Sequence, residues 1–302
     1  EQAHVLTRHL WTTRRKLPNQ GHRWIGGSAH ILAMKEDKQR GAVLFRIDME
    51  TGQGLDPLLL DHPSIHIHRS FRETSRDGQW VAVFVDKGRN GTPHILTVDL
   101  DAHEVVVDRP VHDFGCAQDP KWVGVDPDGD YLLVQSSVAG EALCQGLWAY
   151  DIETGAPVRQ ITNHTHTGAL GRDPLGDPYF LSMEIPFPDE GIFATPTRYR
   201  FDGAPKVPVG PSVPVDSMEH ISCTGDAGDA CLISARWDGG GAYEGQLWWL
   251  SYNGAHLIQG PHDAGGCHIW GNAQAVVGPE GQYAYATHDG SCTNVRSIIV
   301  DL

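Results

Sequence analysis

Short apolar runs recur along the whole chain, each closed by a charged residue or a tight-turn dipeptide. In three places an Asp-Gly or Glu-Gly turn leads straight into such a run. These are Ser75-Arg76-Asp77-Gly78-Gln79-Trp80-Val81-Ala82-Val83-Phe84, Asp126-Pro127-Asp128-Gly129-Asp130-Tyr131-Leu132-Leu133-Val134 and Gly278-Pro279-Glu280-Gly281-Gln282-Tyr283-Ala284-Tyr285-Ala286. Glycine adopts positive φ without a Cβ penalty, so the pattern predicts a hairpin turn that feeds a strand. A second pattern is a strand that ends on an acidic residue and then turns. Val43-Leu44-Phe45-Arg46-Ile47-Asp48 precedes Glu50-Thr51-Gly52, and Leu147-Trp148-Ala149-Tyr150-Asp151 precedes Glu153-Thr154-Gly155. His94-Ile95-Leu96-Thr97-Val98-Asp99 and Arg296-Ser297-Ile298-Ile299-Val300-Asp301 follow the same rule, and Leu247-Trp248-Trp249-Leu250-Ser251 fits by its place before Asn253-Gly254.

Together the two patterns make a unit of four short strands joined by tight turns, repeating about every fifty residues. That unit is the blade of a β-propeller. Units begin near His22, His66, Cys116, His164, His220 and Cys267. The last one runs out of chain after its third strand. The alternating segment Ala3-His4-Val5-Leu6-Thr7-Arg8-His9-Leu10 belongs to no unit, and is expected to supply the missing outer strand and close the ring. The expectation is an all-β fold: one propeller domain spanning 1–302, with six four-stranded blades. A seventh, short blade within the Pro-rich stretch 186–214 is the alternative count. A β-sandwich is the alternative fold; it explains the turns but not the repeat.

Composition narrows the partners. The formal net charge of −15 disfavours nucleic acid, because phosphate binding needs a basic surface. No apolar run approaches the ~18 residues that cross a bilayer. The segment 1–15 is polar and has no signal-peptide pattern, so export implies a leader already removed. Six cysteines without a C-x-x-C pair, in a chain rich in Gly and Pro, point to disulfides and to a secreted or periplasmic protein. In the blade register, Cys116 and Cys267 each open an inner strand, while Cys144 and Cys292 lie in the loop between the second and third strands of the same units. Cys223 and Cys231 flank a hairpin. The expected pairs are Cys116–Cys144, Cys223–Cys231 and Cys267–Cys292, each contributing about 2–4 kcal/mol on the loop-entropy model. A monomer is expected.

The chain holds 17 histidines, and several recur where the first strand of a unit begins. They are His22, His66 and His68, His164 and His166, His220, and His268, with Gln118 in the remaining unit. The first strand of a blade lines the axis, so these side chains would converge, and period-2 spacing puts His66 with His68, and His164 with His166, on one face. Glu184, Arg236 and His288 fall at the ends of second strands on the same side. Convergent imidazoles beside an amide or carboxylate suit a divalent metal, with Mn²⁺, Zn²⁺ and Ca²⁺ as candidates. His164, His220, His268 and Gln118 are the expected ligands. Two other motifs carry less. Asp126-Pro127-Asp128-Gly129-Asp130 looks like a calcium loop but lacks the distal Glu, and reads as a strand turn. Asn163-His164-Thr165 matches a glycosylation triplet but falls in the expected pocket, and is set aside there.

The strand–Asp-Gly–strand units resemble the TolB-type propeller repeat. One stretch goes further: Cys116-Ala117-Gln118-Asp119-Pro120-Lys121-Trp122, then Asp126-Pro127-Asp128, Gly146-Leu147-Trp148 and Asp151-Ile152-Glu153-Thr154-Gly155. It is similar to a blade of the oligogalacturonate lyases, with Asp119 where that family has His, and His164-Thr165-His166 falls where the family has a further pocket histidine. This chain is also shorter and rich in cysteine. The resemblance implies a polysaccharide lyase that cleaves a uronate-containing glycan by β-elimination. It implies His66, His68, Arg69, His166 and Arg236 as catalytic candidates. Arg172, Gln118 and His288 would bind substrate, and Trp122, Trp237 and Trp270 would stack on sugar rings. Two other functions fit the same residues: a non-catalytic propeller that binds a glycan or a protein, and a different His-ligated metalloenzyme.

Overall fold

The computed structural model describes residues 3–5, 23–24, 30–37, 41–48, 51, 53–60, 74–75, 77–85, 92–116, 120, 122–136, 145–163, 168–173, 175–184, 193–210, 212–214, 218–223, 231–235, 247–251, 254–258, 274–277, 283–288 and 295–300. Before residue 30 and after 212 these are backbone positions, apart from the side chains of Ile221, Cys223 and Cys231. The chain divides into two compact units, Thr13–Thr165 and a second built from Glu1–Thr12 with His166–Leu302.

In the second unit the N-terminal strand β1 (Ala3–Val5) is an outer strand. The Thr13–Thr165 unit contains three antiparallel sheets. Strands β2 (Arg23–Trp24), β3 (His30–Asp37), β4 (Gly41–Asp48) and β5 (Gly54–Leu60) form the first, in chain order. The second contains β6 (Trp80–Val85), β7 (His94–Asp99) and β8 (Glu104–Pro110). The third contains β9 (Trp122–Val125), β10 (Tyr131–Ser136), β11 (Gly146–Asp151) and β12 (Pro157–Thr162). Among the described residues the helical content is one 3-10 turn, Val111–Phe114.

The other unit repeats the plan. β13 (Gly168–Arg172), β14 (Pro178–Glu184) and β15 (Phe193–Arg200) form one sheet. The outer edge of β15 is covered by two short strands, β16 (Val207–Pro208) against Thr197–Arg198 and β17 (Val213–Pro214) against Phe193–Ala194. The described part of the Pro-rich stretch therefore joins this sheet. Proline suits an outer edge because it has no N–H to offer a further strand. β18 (Met218–Cys223), β19 (Cys231–Ala235), β20 (Leu247–Ser251) and β21 (Gly254–Ile258) follow. The last sheet is β22 (Gln274–Val277), β23 (Tyr283–His288) and β24 (Val295–Val300), with β1 outside β24 in the register Ala3↔Val300, His4↔Ile299, Val5↔Ile298. That is the place the sequence reserves for the N-terminal segment.

Period-2 alternation decides the packing. Val81, Val83 and Val85 of β6, with Leu96 and Val98 of β7, share a buried cluster with Leu32 and Leu44 of the preceding sheet. Ala82 and Phe84 of β6 and Ile95 of β7 point the other way, into a cluster with Val123, Leu132 and Tyr150 of the following sheet. A middle sheet buried on both faces needs near-continuous apolar strands, which is why Trp80–Val85 reads WVAVFV rather than alternating.

The turns repeat their chemistry as faithfully as the strands. Asp48 Oδ1 accepts from the Thr51 N–H at 2.7 Å and the Thr51 hydroxyl at 2.9 Å, and Asp151 Oδ1 accepts from Thr154 at 2.8 and 2.6 Å. These bonds are the physical content of the Asp-x-Glu-Thr-Gly pattern: a side chain closes the turn between third and fourth strands. In Thr13–Thr165 the same turn also locks neighbouring sheets, since Arg109 Nη1 donates to the Thr154 and Gly155 carbonyls at 3.0 and 3.3 Å.

Candidate functional site

In an antiparallel pair the start of the first strand lies beside the end of the second. Gly168 pairs with Ser182, Met218 with Ala235, and Gln274 with Ala286. Within the second unit β13 packs beside β18, and β18 beside β22. One end of this unit therefore carries the ends of β14 and β23, Glu184 and His288, together with the start of β18, which holds His220 opposite Ser234. The placement of His220 and His288 is a backbone placement. Glu184 is partly buried and its carboxylate is paired with the Lys206 ammonium. His66, His68, Arg69, Gln118, His164, His166, Arg236, Trp237, Trp270 and His268 lie outside the described residues.

Two expected substrate-binding residues have other work. Trp122 opens β9 and is 1% exposed, so it offers no face to a sugar. Its ring covers Gly124, where a Cβ would come within 2.8 Å of the indole. Arg172 closes β13 at the opposite end from Gly168, is buried, and donates to the Gly176 carbonyl at 2.5 Å. It ties down the turn between β13 and β14, away from the end where Glu184, His220 and His288 gather.

Among the cysteines, Cys223 and Cys231 form the expected disulfide and face each other directly across β18 and β19. Cys116 is buried and disulfide-bonded, while its expected partner Cys144, and the pair Cys267 and Cys292, lie outside the described residues.

The carboxylates of Asp126, Asp128 and Asp130 have oxygens within 4.8 Å of one another, a grouping that a hard cation can bridge. The turn already uses the buried member: Asp126 Oδ1 accepts from the Tyr131 N–H at 2.7 Å and Oδ2 from the Asp128 N–H at 3.1 Å. Burial pushes the Asp126 carboxyl up to about 6, against the pull of those two N–H groups and with help from Asp130 and Asp128. One pair escaped the sequence reading. His94 Nδ1 meets Asp108 Oδ1 at 2.5 Å, joining the start of β7 to β8. Cross-strand proximity, not a motif, creates it, so only the register reveals it.

Neither a protein-family model nor a curated protein matches the chain. Solved structures do. The chain is similar to an oligogalacturonate lyase from Vibrio parahaemolyticus at 14% identity, covering 93% of this chain and 78% of that one, with TM-score 0.58. It is similar to an oligogalacturonate lyase in complex with manganese at 11% identity, covering 93% and 77%, with TM-score 0.58. The β-propeller domain of the trilobed protease from Pyrococcus furiosus matches at 13% identity, 93% and 81% coverage, and TM-score 0.54. Likeness at this identity defines the fold: successive antiparallel sheets of an all-β propeller.

Proposed function

We propose that this chain is a secreted polysaccharide lyase that cleaves an acidic, uronate-containing oligo- or polysaccharide by β-elimination in a histidine-rich pocket. The observation that carries the reading is the likeness to oligogalacturonate lyases over most of the chain, which coincides with the similar segment from Cys116 to Gly155. The disulfides agree with a protein that works outside the cytoplasm, where the chain acts as a monomer.

In this reading Arg69 or Arg236 neutralises the uronate carboxylate, which acidifies the adjacent C–H. A neutral imidazole among His66, His68 and His166 takes that proton, and Gln118 and His288 orient the sugar. Trp237 and Trp270 keep the stacking role that burial denies to Trp122. A divalent cation (Mn²⁺, Zn²⁺ or Ca²⁺) held by His164, His220, His268 and Gln118 would add positive charge at the same carboxylate.

Incubation with pectic, alginate, ulvan and glucuronan substrates, with and without chelator, tests this. Unsaturated products absorbing in the ultraviolet are expected from one of them. Replacing the base by alanine lowers the rate by about 10²–10⁴. Product lost on chelation brings the metal into the reaction. No product from any substrate overturns the lyase in favour of a binding propeller. Redox turnover with a bound metal favours a different metalloenzyme.

A further inference from the structure

The triplet Asn163-His164-Thr165 has the form that accepts an N-linked glycan, which requires an accessible Asn on an irregular surface segment. The sequence places it in the pocket because His164 opens a unit. The structure gives Asn163 a different setting. Asn163 follows directly on β12, the outer strand of its sheet, whose inner strand is β9. It is exposed, on a bend, immediately after buried Thr162. The backbone here is fixed from beneath: a Cβ on Gly146 would come 2.0 Å from the Thr162 carbonyl oxygen and 2.6 Å from the Asn163 Cα. The acceptor is therefore held in place while its side chain stays outside the packed sheet. The buried disulfides agree with an oxidising compartment, and a eukaryotic secretory lumen, where this modification is made, is one.

We propose that Asn163 is an N-glycan acceptor site. The Asn163 amide nitrogen forms a bond to the anomeric carbon of an N-acetylhexosamine, donated by a lipid-diphosphate-linked oligosaccharide and an oligosaccharyl transferase. The anomeric C–O bond to the diphosphate breaks, the amide loses one proton, and lipid diphosphate leaves. The inference rests on passage through a secretory compartment and is independent of the lyase reading.

The test is expression of the full chain through a eukaryotic secretory pathway, with peptide mass spectrometry before and after peptide-N-glycosidase on the undenatured protein. A second triplet, Asn90-Gly91-Thr92, makes the peptide-level reading necessary. The expected result is glycan mass on the Asn163 peptide, removed by the enzyme with conversion of Asn163 to Asp. That mass persists in Asn90→Gln and Thr165→Ser, and is lost in Asn163→Gln and Thr165→Ala. An unmodified Asn163 peptide overturns the proposal, whether in secreted chain or in chain recovered from microsomes. So does modification that survives Thr165→Ala.

Discussion

The turn that begins at Asp126 and the turn that begins at Asp173 share one backbone plan in two different surroundings. Each places a glycine at positive φ, 80° at Gly129 and 88° at Gly176. Each folds that glycine's N–H onto the first residue's carbonyl, at 3.1 and 2.8 Å. In each, the first aspartate's carboxylate accepts two backbone N–H groups: Asp128 and Tyr131 in one, Leu175 and Asp177 in the other. The surroundings then diverge. The Asp126 turn packs on Trp80 of the preceding sheet and adds two further carboxylates to a buried one. The Asp173 turn leaves Leu175 86% exposed and gives its buried carboxylate a guanidinium, Arg200 Nη1 at 3.2 Å. Local sequence writes the turn, whereas the neighbouring sheet decides what the turn costs.

The largest expected effect comes from the glycines. Gly176→Ala costs only the left-handed backbone, about 1–2 kcal/mol, because nothing lies within 4 Å of the new Cβ. Gly129→Ala adds a Cβ 2.8 Å from the Trp80 ring and should cost about 2–4 kcal/mol in urea or thermal unfolding. Equal losses in the two variants would mean that the Asp126 turn is not packed on its neighbour.

Next come the carboxylates. Asp126→Ala strands two backbone N–H groups and should cost about 1–3 kcal/mol, whereas Asp126→Asn keeps an acceptor oxygen and removes a buried charge. The pH dependence separates the two effects. The folded carboxyl titrates near 6 against an ordinary 3.8, so the native state binds the extra proton over that window. Its contribution is fully present below about pH 4 and is lost as pH rises through 6. Asp126→Asn should flatten this fall in stability, measured by unfolding at a series of pH values. Asp151 behaves with the opposite sign: the Thr154 hydroxyl and N–H hold its carboxyl below the usual range, so its contribution is lost on acidification. An Asp126→Asn profile that runs parallel to wild type between pH 4 and 6 would refute the account of Asp126.

The same contrast explains what the chain disclosed in advance. The Asp-Gly turns, the Asp-x-Glu-Thr-Gly turn and the double-faced apolar strands are local patterns with local causes, and they were legible. So was the outer place of Ala3–Val5, because an alternating orphan strand has few other places to go. The role of Arg172 was not legible, because an arginine at a strand end reads equally well as a ligand or as a turn clasp. Trp122 failed for the same reason: only its 1% exposure, set by the packing around it, tells a core ring from a stacking platform. The Asp126 cluster shows the limit most clearly. Its residues spell both a cation loop and a turn, and the two N–H bonds to Asp126 favour the turn. The same use recurs at Asp48, Asp99 and Asp151, whose carboxylates also accept turn N–H groups.

The smallest effect belongs to Arg200, and it sharpens the comparison from the other side. Its guanidinium meets Asp177 at 2.7 Å, Asp202 at 2.9 Å and Asp173 at 3.2 Å, and is partly exposed. Partly solvated pairs contribute about 0.2–1 kcal/mol, and salt screens them. Arg200→Met keeps the apolar stem and should cost no more than about 1 kcal/mol at low salt, with the difference shrinking as salt rises. It also leaves the buried Asp173 carboxylate with its two N–H donors alone, the condition that Asp126 already occupies. If the loss exceeds this figure, or does not shrink as salt rises, Arg200 does more than a solvated pair can, and it, not burial, separates the two turns.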